Sequence, residues 1–465
     1  MDAHARIKIQ IQQPYNIPKK EMNKKREYMK NLLLTVLISA TICIAPAAKA
    51  SEGVSVGLAV RNVTPVTGLP LAGYGGRHLS FPDIFGKYPY TFWLRPSLGI
   101  HDPIRSKAMV LQMNGTKVLF LSLDVVGATV DFYDDVAKAA RLLGIEYVIV
   151  TATHTHSGPG GMSRSWFWKI VATDSFVQAA RDVFVYGVIR SVQEAVANLT
   201  PASLYTSTFV SEHLQHNRRD REGYSDPNVN FLLAKSDQTG KWLGGFVNFA
   251  VHGTAMGSSN QFYSADVSGV IERSTSLLLS GNAQDKPIIL HINGAEGDIS
   301  PGIDGWKEMD EYGERFSAQA TPALANLKPV ANTLKIRTAD IKLPKGRLKL
   351  KLCKMISFLG NKISIGLSEK AAPTRTHLTL LQLGDITMAT WPGEPTTEVG
   401  LKLKDIADSF NHTPFWNLGL ANGYMGYFVS YGEYQVGGYE ACSNYHSPAG
   451  SEQIIDTYQT MLENF

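Results

Sequence analysis

The 465-residue sequence predicts an α/β protein in which mixed β-sheets are flanked by helices, folded as a single domain with its site on strand-end loops. Three observations predict it. β-Branched runs of period 2 interleave with runs of helical period along most of the chain. No Ser/Pro-rich linker divides them, so one mixed domain over residues 51–465 is the economical reading. Four apolar strands end in glycine- or proline-rich loops carrying His154, His252, Ser300 and Glu394, and loops held by a rigid sheet are where sites are assembled.

Residues 1–50 differ in kind. Lys19, Lys20, Lys24, Lys25, Arg26 and Lys30 precede an apolar run from Leu32 to Pro46, which ends in Ala47-Ala-Lys-Ala50. A basic segment, an apolar segment of roughly 15 residues and an A-x-A site together have the pattern of a bacterial-type secretory signal peptide. Cleavage is expected after Ala50, leaving a secreted or periplasmic protein; an uncleaved anchor is the alternative. The long basic segment is compatible with a start at Met22 or Met29. No other stretch is long and apolar enough to cross a bilayer. Taking the nine basic and three acidic residues of this segment from totals of 45 and 41 leaves 36 and 38, so the formal charge of +4 becomes about −2. That balance offers no electrostatic case for nucleic acid. Cys43 lies in the signal, while Cys353 and Cys442 could pair in an oxidising compartment and do not form a zinc cluster.

Along the mature chain, Val54–Val63 and Ala108–Val125 read as strands, the second as a hairpin turning at Asn114-Gly115. Asp131–Leu143 has helical period and stops before Gly144. Glu146-Tyr-Val-Ile-Val150 is a buried strand that breaks into Thr151-Ala-Thr-His-Thr-His-Ser-Gly-Pro-Gly-Gly161. Asp174–Asn198 is a longer helix closed by Pro201, and Phe231–Ala250 is a hairpin whose second strand delivers His252. Asp266–Leu279 is a helix, and Pro287–Ile292 is a strand that empties into Asn293-Gly-Ala-Glu-Gly-Asp-Ile-Ser-Pro-Gly302. Trp306–Leu327 is helical, strands dominate Thr333–Thr390, and Glu398–Ser409 and Glu452–Leu462 are the last helices.

Five stretches carry chemistry. A strand that projects His154 and His156 on one face, at period 2, into a glycine-rich mouth suits a metal or catalytic centre; two solvated loop histidines are the bland alternative. His252 in Val251-His-Gly-Thr-Ala-Met256 is a further imidazole ligand or a core histidine bonded to backbone. Glu394 in Trp391-Pro-Gly-Glu-Pro-Thr-Thr397 is a ligand or an N-terminal helix charge. Ser300 in Gly297-Asp-Ile-Ser-Pro301 lacks the G-x-S-x-G elbow, so no serine triad is supported locally, and a turn serine is the alternative. Asn422–Glu440 is dense in tyrosine, which serves packing or supplies oxygen to a metal or oxyanion.

THTHSGPGG, FAVHGTAM, GDISP, PGEPTT and the tyrosine run, in this order and with Gly57–Pro65 near the start, resemble the neutral/alkaline (non-lysosomal) ceramidase family over residues 53–445. The resemblance implies a zinc amidase domain at 51–465, with Zn2+ held by His154, His252, Glu394 and Tyr427. It also implies that His156 faces the substrate amide, that Arg218 and Tyr439 contact substrate, and that Ser300 is a polar partner beside the metal. Departures are Gly302 after Ser-Pro, Pro395 after Glu394 and Arg219 after Arg218. Longer ceramidases carry a C-terminal immunoglobulin-like domain; this chain stops about 25 residues past Tyr439, leaving no room for one.

The implied reaction is hydrolysis of the N-acyl bond of ceramide or a related lipid amide by zinc-activated water, with His156 as proton carrier and Tyr439 and Arg218 stabilising the oxyanion. The rival mechanism is attack by Ser300 with His156 as base. Alternative functions are a zinc amidase acting on a non-sphingolipid N-acyl substrate and a catalytically degenerate secreted binding protein. Ser165-Trp-Phe-Trp168 and Tyr88-Pro-Tyr-Thr-Phe-Trp93 are aromatic lips for peripheral contact with a membrane surface, or buried packing. The alternating basic and apolar run Lys345–Leu359 reads as an edge strand guarded by lysines, or as a cationic flap.

Overall fold

The computed structural model describes residues 53–219, 223–280, 286–349 and 364–465. The expected signal peptide, Cys353 and most of the lysine-rich run lie outside the described residues. Arg347–Lys349 of that run pairs antiparallel with Ser364–Gly366, as a strand. Cys442 is disulfide-bonded.

The larger sheet is built from β1 (Val54–Asn62), β2 (Arg105–Met113), β3 (Thr116–Leu123), β4 (Tyr147–Ala152), β5 (Thr200–Val210), β6 (Asn228–Ser236), β7 (Trp242–Phe249) and β8 (Ile288–Asn293). Their order is β8-β7-β6-β5-β1-β2-β3-β4, with Lys328–Pro329 added beside β5. A second sheet has the order β9 (Leu334–Lys342), β10 (Arg375–Leu383), β11 (Ile386–Thr390), β12 (Phe415–Leu418). The longer helices are α1 (Val130–Leu142), α2 (Gln178–Ala197), α3 (Asp266–Ser280), α4 (Trp306–Ala325), α5 (Thr397–Ser409) and α6 (Ser447–Leu462).

Period-2 alternation sorts the strand side chains into layers. Ala108 and Val110 of β2 join Phe132, Val136, Phe184 and Val188 of α1 and α2 in one apolar core. Met109 and Leu111 point the other way, into a core shared with Leu381, Met388 and Trp416 of the second sheet. Phe231 and Leu233 of β6 pack on α3 and α4, and Leu380 and Ala389 pack with Leu403 and Ile454 of α5 and α6. The result is a helix–sheet–sheet–helix sandwich. No helix among the described residues is long and apolar enough to cross a membrane.

Most boundaries fall within a few residues of those predicted, and the exceptions have local causes. The β2–β3 hairpin turns where expected, with Asn114 and Gly115 both at positive φ. α2 begins at Gln178 rather than Asp174 because Asp174, at φ 62, is used elsewhere. Its carboxylate accepts the amides of Phe92, Trp93 and Leu94 at 3.0, 2.9 and 2.6 Å. α6 begins five residues before Glu452, with Pro448 in its first turn, where a missing N–H costs nothing.

Three parallel pairs position the site. β3 runs parallel to β4 across α1, β7 to β8 across α3, and β11 to β12 across α5. A parallel pair places both carboxyl ends on the same edge, and the loops leaving that edge form a crevice.

Candidate metal centre and active site

Every residue of the polar cluster leaves one of those six strand ends. β4 ends at Ala152, sooner than period 2 needs, and His154 takes φ 61 instead of continuing the strand. The two imidazoles therefore converge by a left-handed turn, not by sharing a strand face. Their Nε2 atoms lie 3.3 Å apart with the rings at 77°. His252 follows β7, and a parallel bridge between Thr155 and Gly253 locks its loop to that of His154. A Cβ on Gly253 would meet the Thr155 Cα at 2.6 Å, so only glycine allows this approach. Glu394 follows β11 and Tyr427 follows β12; the two are register partners in the short parallel pair Glu394–Pro395 with Tyr427–Phe428.

These loops bring all four sequence-predicted metal ligands together. The Glu394 Oε2 atom lies 3.3 Å from His154 Nε2 and 3.1 Å from His252 Nε2, and the Tyr427 hydroxyl is 3.3 Å from His252 Nε2. Zinc bonds of about 2.0–2.1 Å set tetrahedral ligands about 3.3 Å apart, so these separations are those of a zinc tetrahedron. Protonation agrees. His154 Nδ1 donates to the Val126 carbonyl at 2.5 Å, which leaves Nε2 as a lone pair directed at the centre. Glu394 Oε1 accepts from the Tyr424 hydroxyl at 2.6 Å, whereas its buried Oε2 has no hydrogen-bond donor. A carboxylate oxygen facing an imidazole lone pair is repulsive unless a proton or a metal cation lies between them. The residues present thus fit a divalent ion.

Burial would push the Glu394 carboxyl up, but His154 and His252 outweigh it and hold the group well below the usual carboxylate range. Burial, reinforced by Arg218, pushes His252 down to about 3. Burial, then His154 and His252, also holds His156 well below its ordinary value. Burial and Glu394 raise the Tyr427 hydroxyl far above the ordinary phenol range. Without a cation, the centre favours an ionised Glu394 and neutral imidazoles at His156 and His252.

Of the other sequence-predicted residues, Arg218, Tyr439 and His156 contact the ligand residues directly. Arg218 donates to the Tyr427 hydroxyl at 3.0 Å and to the Gly297 carbonyl at 2.8 Å, and its Nε donates to Glu440 at 3.2 Å. Tyr439 is 60% exposed, edge-on to Tyr427 at 5.5 Å, with the Arg218 guanidinium 5.6 Å from its ring centre. The His156 ring packs edge-on to Tyr74 at 4.5 Å. Ser300 shows no such side-chain contact. It sits in the short pair Ile299–Ser300 with His216–Asn217 and makes no hydrogen bond to the cluster. The Gly-Asp-Ile-Ser turn instead sets Arg218, whose amide donates to the Asp298 carbonyl at 2.7 Å.

Two members went unread in the sequence. Tyr424 lies in the tyrosine run and its spacing resembles that of its neighbours, so nothing local marks it as the residue that orients Glu394. Glu296, wholly buried, lies with His154 and Glu394 in a set whose ligand atoms are all within 4.8 Å of one another. Its only sequence signal is an acidic side chain among glycines after a strand.

An apolar cavity of ≈ 140 Å³ opens against the cluster. Val125, Phe132, Met162, Trp168, Phe184 and Tyr445 are among the side chains that line it. Of the expected lips, Phe167 and Trp168 are buried, Phe92 and Trp93 are half-buried, and Trp166 is 54% exposed.

Residues 90–323, half of the chain, match the profile described as "Neutral/alkaline non-lysosomal ceramidase, N-terminal". A neutral ceramidase of Oryza sativa subsp. japonica is 29% identical over 194 residues, which cover 38% of this chain and 24% of the relative. The Pseudomonas aeruginosa neutral ceramidase is 27% identical over 202 residues, 40% of this chain and 30% of its own length. The chain thus spans about a quarter to a third of the curated relatives it matches. The solved structure of the Pseudomonas aeruginosa neutral ceramidase superimposes with a TM-score of 0.73 at 19% identity, covering 89% of this chain and 75% of that one. A ceramidase complexed with C2 gives 0.75 at 17% over the same shares. With half of its length under the family profile, the chain belongs to the neutral/alkaline, non-lysosomal ceramidase family.

Proposed function

We propose that the protein is a zinc-dependent amidohydrolase that cleaves the N-acyl amide bond of ceramide or a close lipid amide. The carrying observation is the buried Glu394 Oε2 atom, which lacks a donor and faces two imidazole nitrogens at zinc-ligand separations. His154, His252, Glu394 and Tyr427 would hold the ion, which when bound supplies Lewis acidity to the amide carbonyl and to water. His156, fixed beside His154, takes a proton at Nε2 during attack and returns it to the departing nitrogen. Arg218 orients the Tyr427 hydroxyl and, with the Tyr439 hydroxyl, presents donors to the developing oxyanion. Ser300 is not required as nucleophile in this scheme.

The apolar cavity against the cluster favours an acyl chain over a polar N-acyl group. The loop between Leu79 and Trp93 suits peripheral membrane contact. Phe81 is 82% and Phe85 92% exposed there, while Asp174 ties the loop to the Val171–Thr173 segment lining the cavity. Exposed aromatic side chains beside an apolar cleft suit extraction of a lipid from a surface. Residues 1–50 act as the secretion signal in this scheme. A fluorescent short-chain ceramide tested beside a panel of N-acyl amino acids, with and without chelator, decides the function. Chelator-sensitive release from ceramide alone supports it, and turnover restricted to N-acyl amino acids refutes the sphingolipid assignment.

A further inference from the structure

We propose that Glu296 is a second carboxylate ligand of the metal centre, so that the ion is held by two carboxylates rather than one. The inference rests on the proposed metal-dependent function and deepens it. Both Glu296 oxygens are buried and neither has a hydrogen-bond partner, while the residue as a whole is 0% exposed. Its neighbour Asp298 shows what this loop does with a structural carboxylate. Thr397 donates to Asp298 Oδ1 through both its amide and hydroxyl at 2.8 Å, and Asn217 donates to Oδ2 at 2.8 Å. Two residues earlier, the same loop leaves a carboxylate with nothing. An unpaired buried carboxylate is among the most costly groups a fold can carry, and it is relieved either by a proton or by a cation.

Backbone contacts forbid escape to solvent. The Gly297 amide donates to the Pro395 carbonyl at 2.9 Å, and the Gly419 amide donates to the Asn293 carbonyl at 2.8 Å. A Cβ on Gly419 would stand 2.1 Å from the Gly294 carbonyl oxygen and 3.0 Å from Glu296 Oε2, so the glycine is what admits this carboxylate. The segment is pinned on both sides, and Glu296 is directed at the ligand atoms of His154 and Glu394, all within 4.8 Å. Two carboxylates neutralise a divalent ion, which lets the Tyr427 hydroxyl remain a neutral phenol beside Arg218.

The test uses the full chain and zinc itself. Zinc affinity is measured by competition with a chromophoric chelator for wild type, Glu296→Gln and Glu296→Met, alongside thermal unfolding of each metal-free protein. Loss of a direct carboxylate ligand is expected to weaken zinc by at least the roughly 10–100-fold that follows loss of a residue merely bonded to a ligand. The metal-free variants should unfold no earlier than wild type, because Glu296 makes no side-chain hydrogen bond whose loss would weaken the fold. Zinc affinity that is unchanged or tighter would overturn the inference and leave Glu296 as an acid sharing a proton with Glu394. Weaker zinc binding together with earlier unfolding of both metal-free variants would also overturn it, marking a structural role. Wild-type protein that takes up no zinc would overturn the metal centre altogether, a failure distinct from the other two.

Discussion

Two of the buried charged clusters among the described residues are satisfied in opposite ways. In the first, Lys107 donates to Asp124 at 2.7 Å and to both Glu272 oxygens at 2.6 and 2.7 Å. The Arg105 amide donates to the remaining Asp124 oxygen, and the His291 amide to Glu272, each at 2.8 Å. Although burial opposes it, the two carboxylates raise the Lys107 ammonium above its ordinary range and keep it charged. In the second, His154, His252, Glu394 and Glu296 converge, and among the described residues no donor pairs with Glu394 Oε2 or with either Glu296 oxygen. The first cluster carries its cation in a side chain and is architecture. The second offers ligand atoms suited to a cation from outside the chain. Burial and charge alone do not mark a functional site; incomplete pairing does.

Substitutions in the two clusters should have effects of different kinds and sizes. The largest is expected at His156. His156→Ala should keep its zinc and lose about 10²–10⁴-fold in turnover, the usual contribution of a positioned proton carrier. Metal analysis beside kinetics checks it, and a metal-free variant would make His156 a ligand instead. Lys107→Met should lose about 3–5 kcal/mol of stability in denaturant titration, the penalty for leaving buried carboxylates without their partner. Its folded fraction should still bind zinc.

His291 gives a pH test of the paired cluster. It is buried, its two ring nitrogens contact the Ser268 hydroxyl and the Phe249 carbonyl, and burial pushes it down to about 4. The unfolded chain protonates this imidazole near pH 6.5, so its contribution is complete above that pH and is lost as pH falls toward 4. The stability gap between metal-free wild type and His291→Gln should therefore narrow by about 3 kcal/mol between pH 7 and pH 4. Urea titrations at the two pH values measure it, and a constant gap would contradict it. The smallest effect is expected at Ser300. Losing a true nucleophile costs on the order of 10⁶-fold, whereas Ser300→Ala should keep most of its rate in the ceramide assay.

The sandwich was legible in the sequence because its strands alternate cleanly. Met109 and Leu111 face one core, Ala108 and Val110 the other, and the Asn114-Gly115 turn fixes the register. Of the candidate ligands, His154, His252 and Glu394 were legible because each follows an apolar strand, whereas Tyr427 came only with the family resemblance; the four do meet. The path by which they meet was not. Period 2 suggested that His154 and His156 share a strand face, whereas a left-handed residue beyond the strand end turns them together. Nor can local pattern show that the Ser300 backbone joins a short strand pair, or that Tyr424 orients Glu394. Those facts depend on which loops become neighbours across three parallel crossovers. Asp174 teaches the same lesson from the fold side, since its helical surroundings predicted a helix start that three distant amides pre-empt.

Metal content tests the central claim most directly, measured by elemental analysis on purified wild type and on His252→Ala after identical dialysis. The account predicts zinc in the wild type, little in the variant, and loss of ceramide hydrolysis alongside the metal. Wild-type protein that hydrolyses ceramide with no bound transition metal, or a His252→Ala variant that retains its zinc in full, would contradict it.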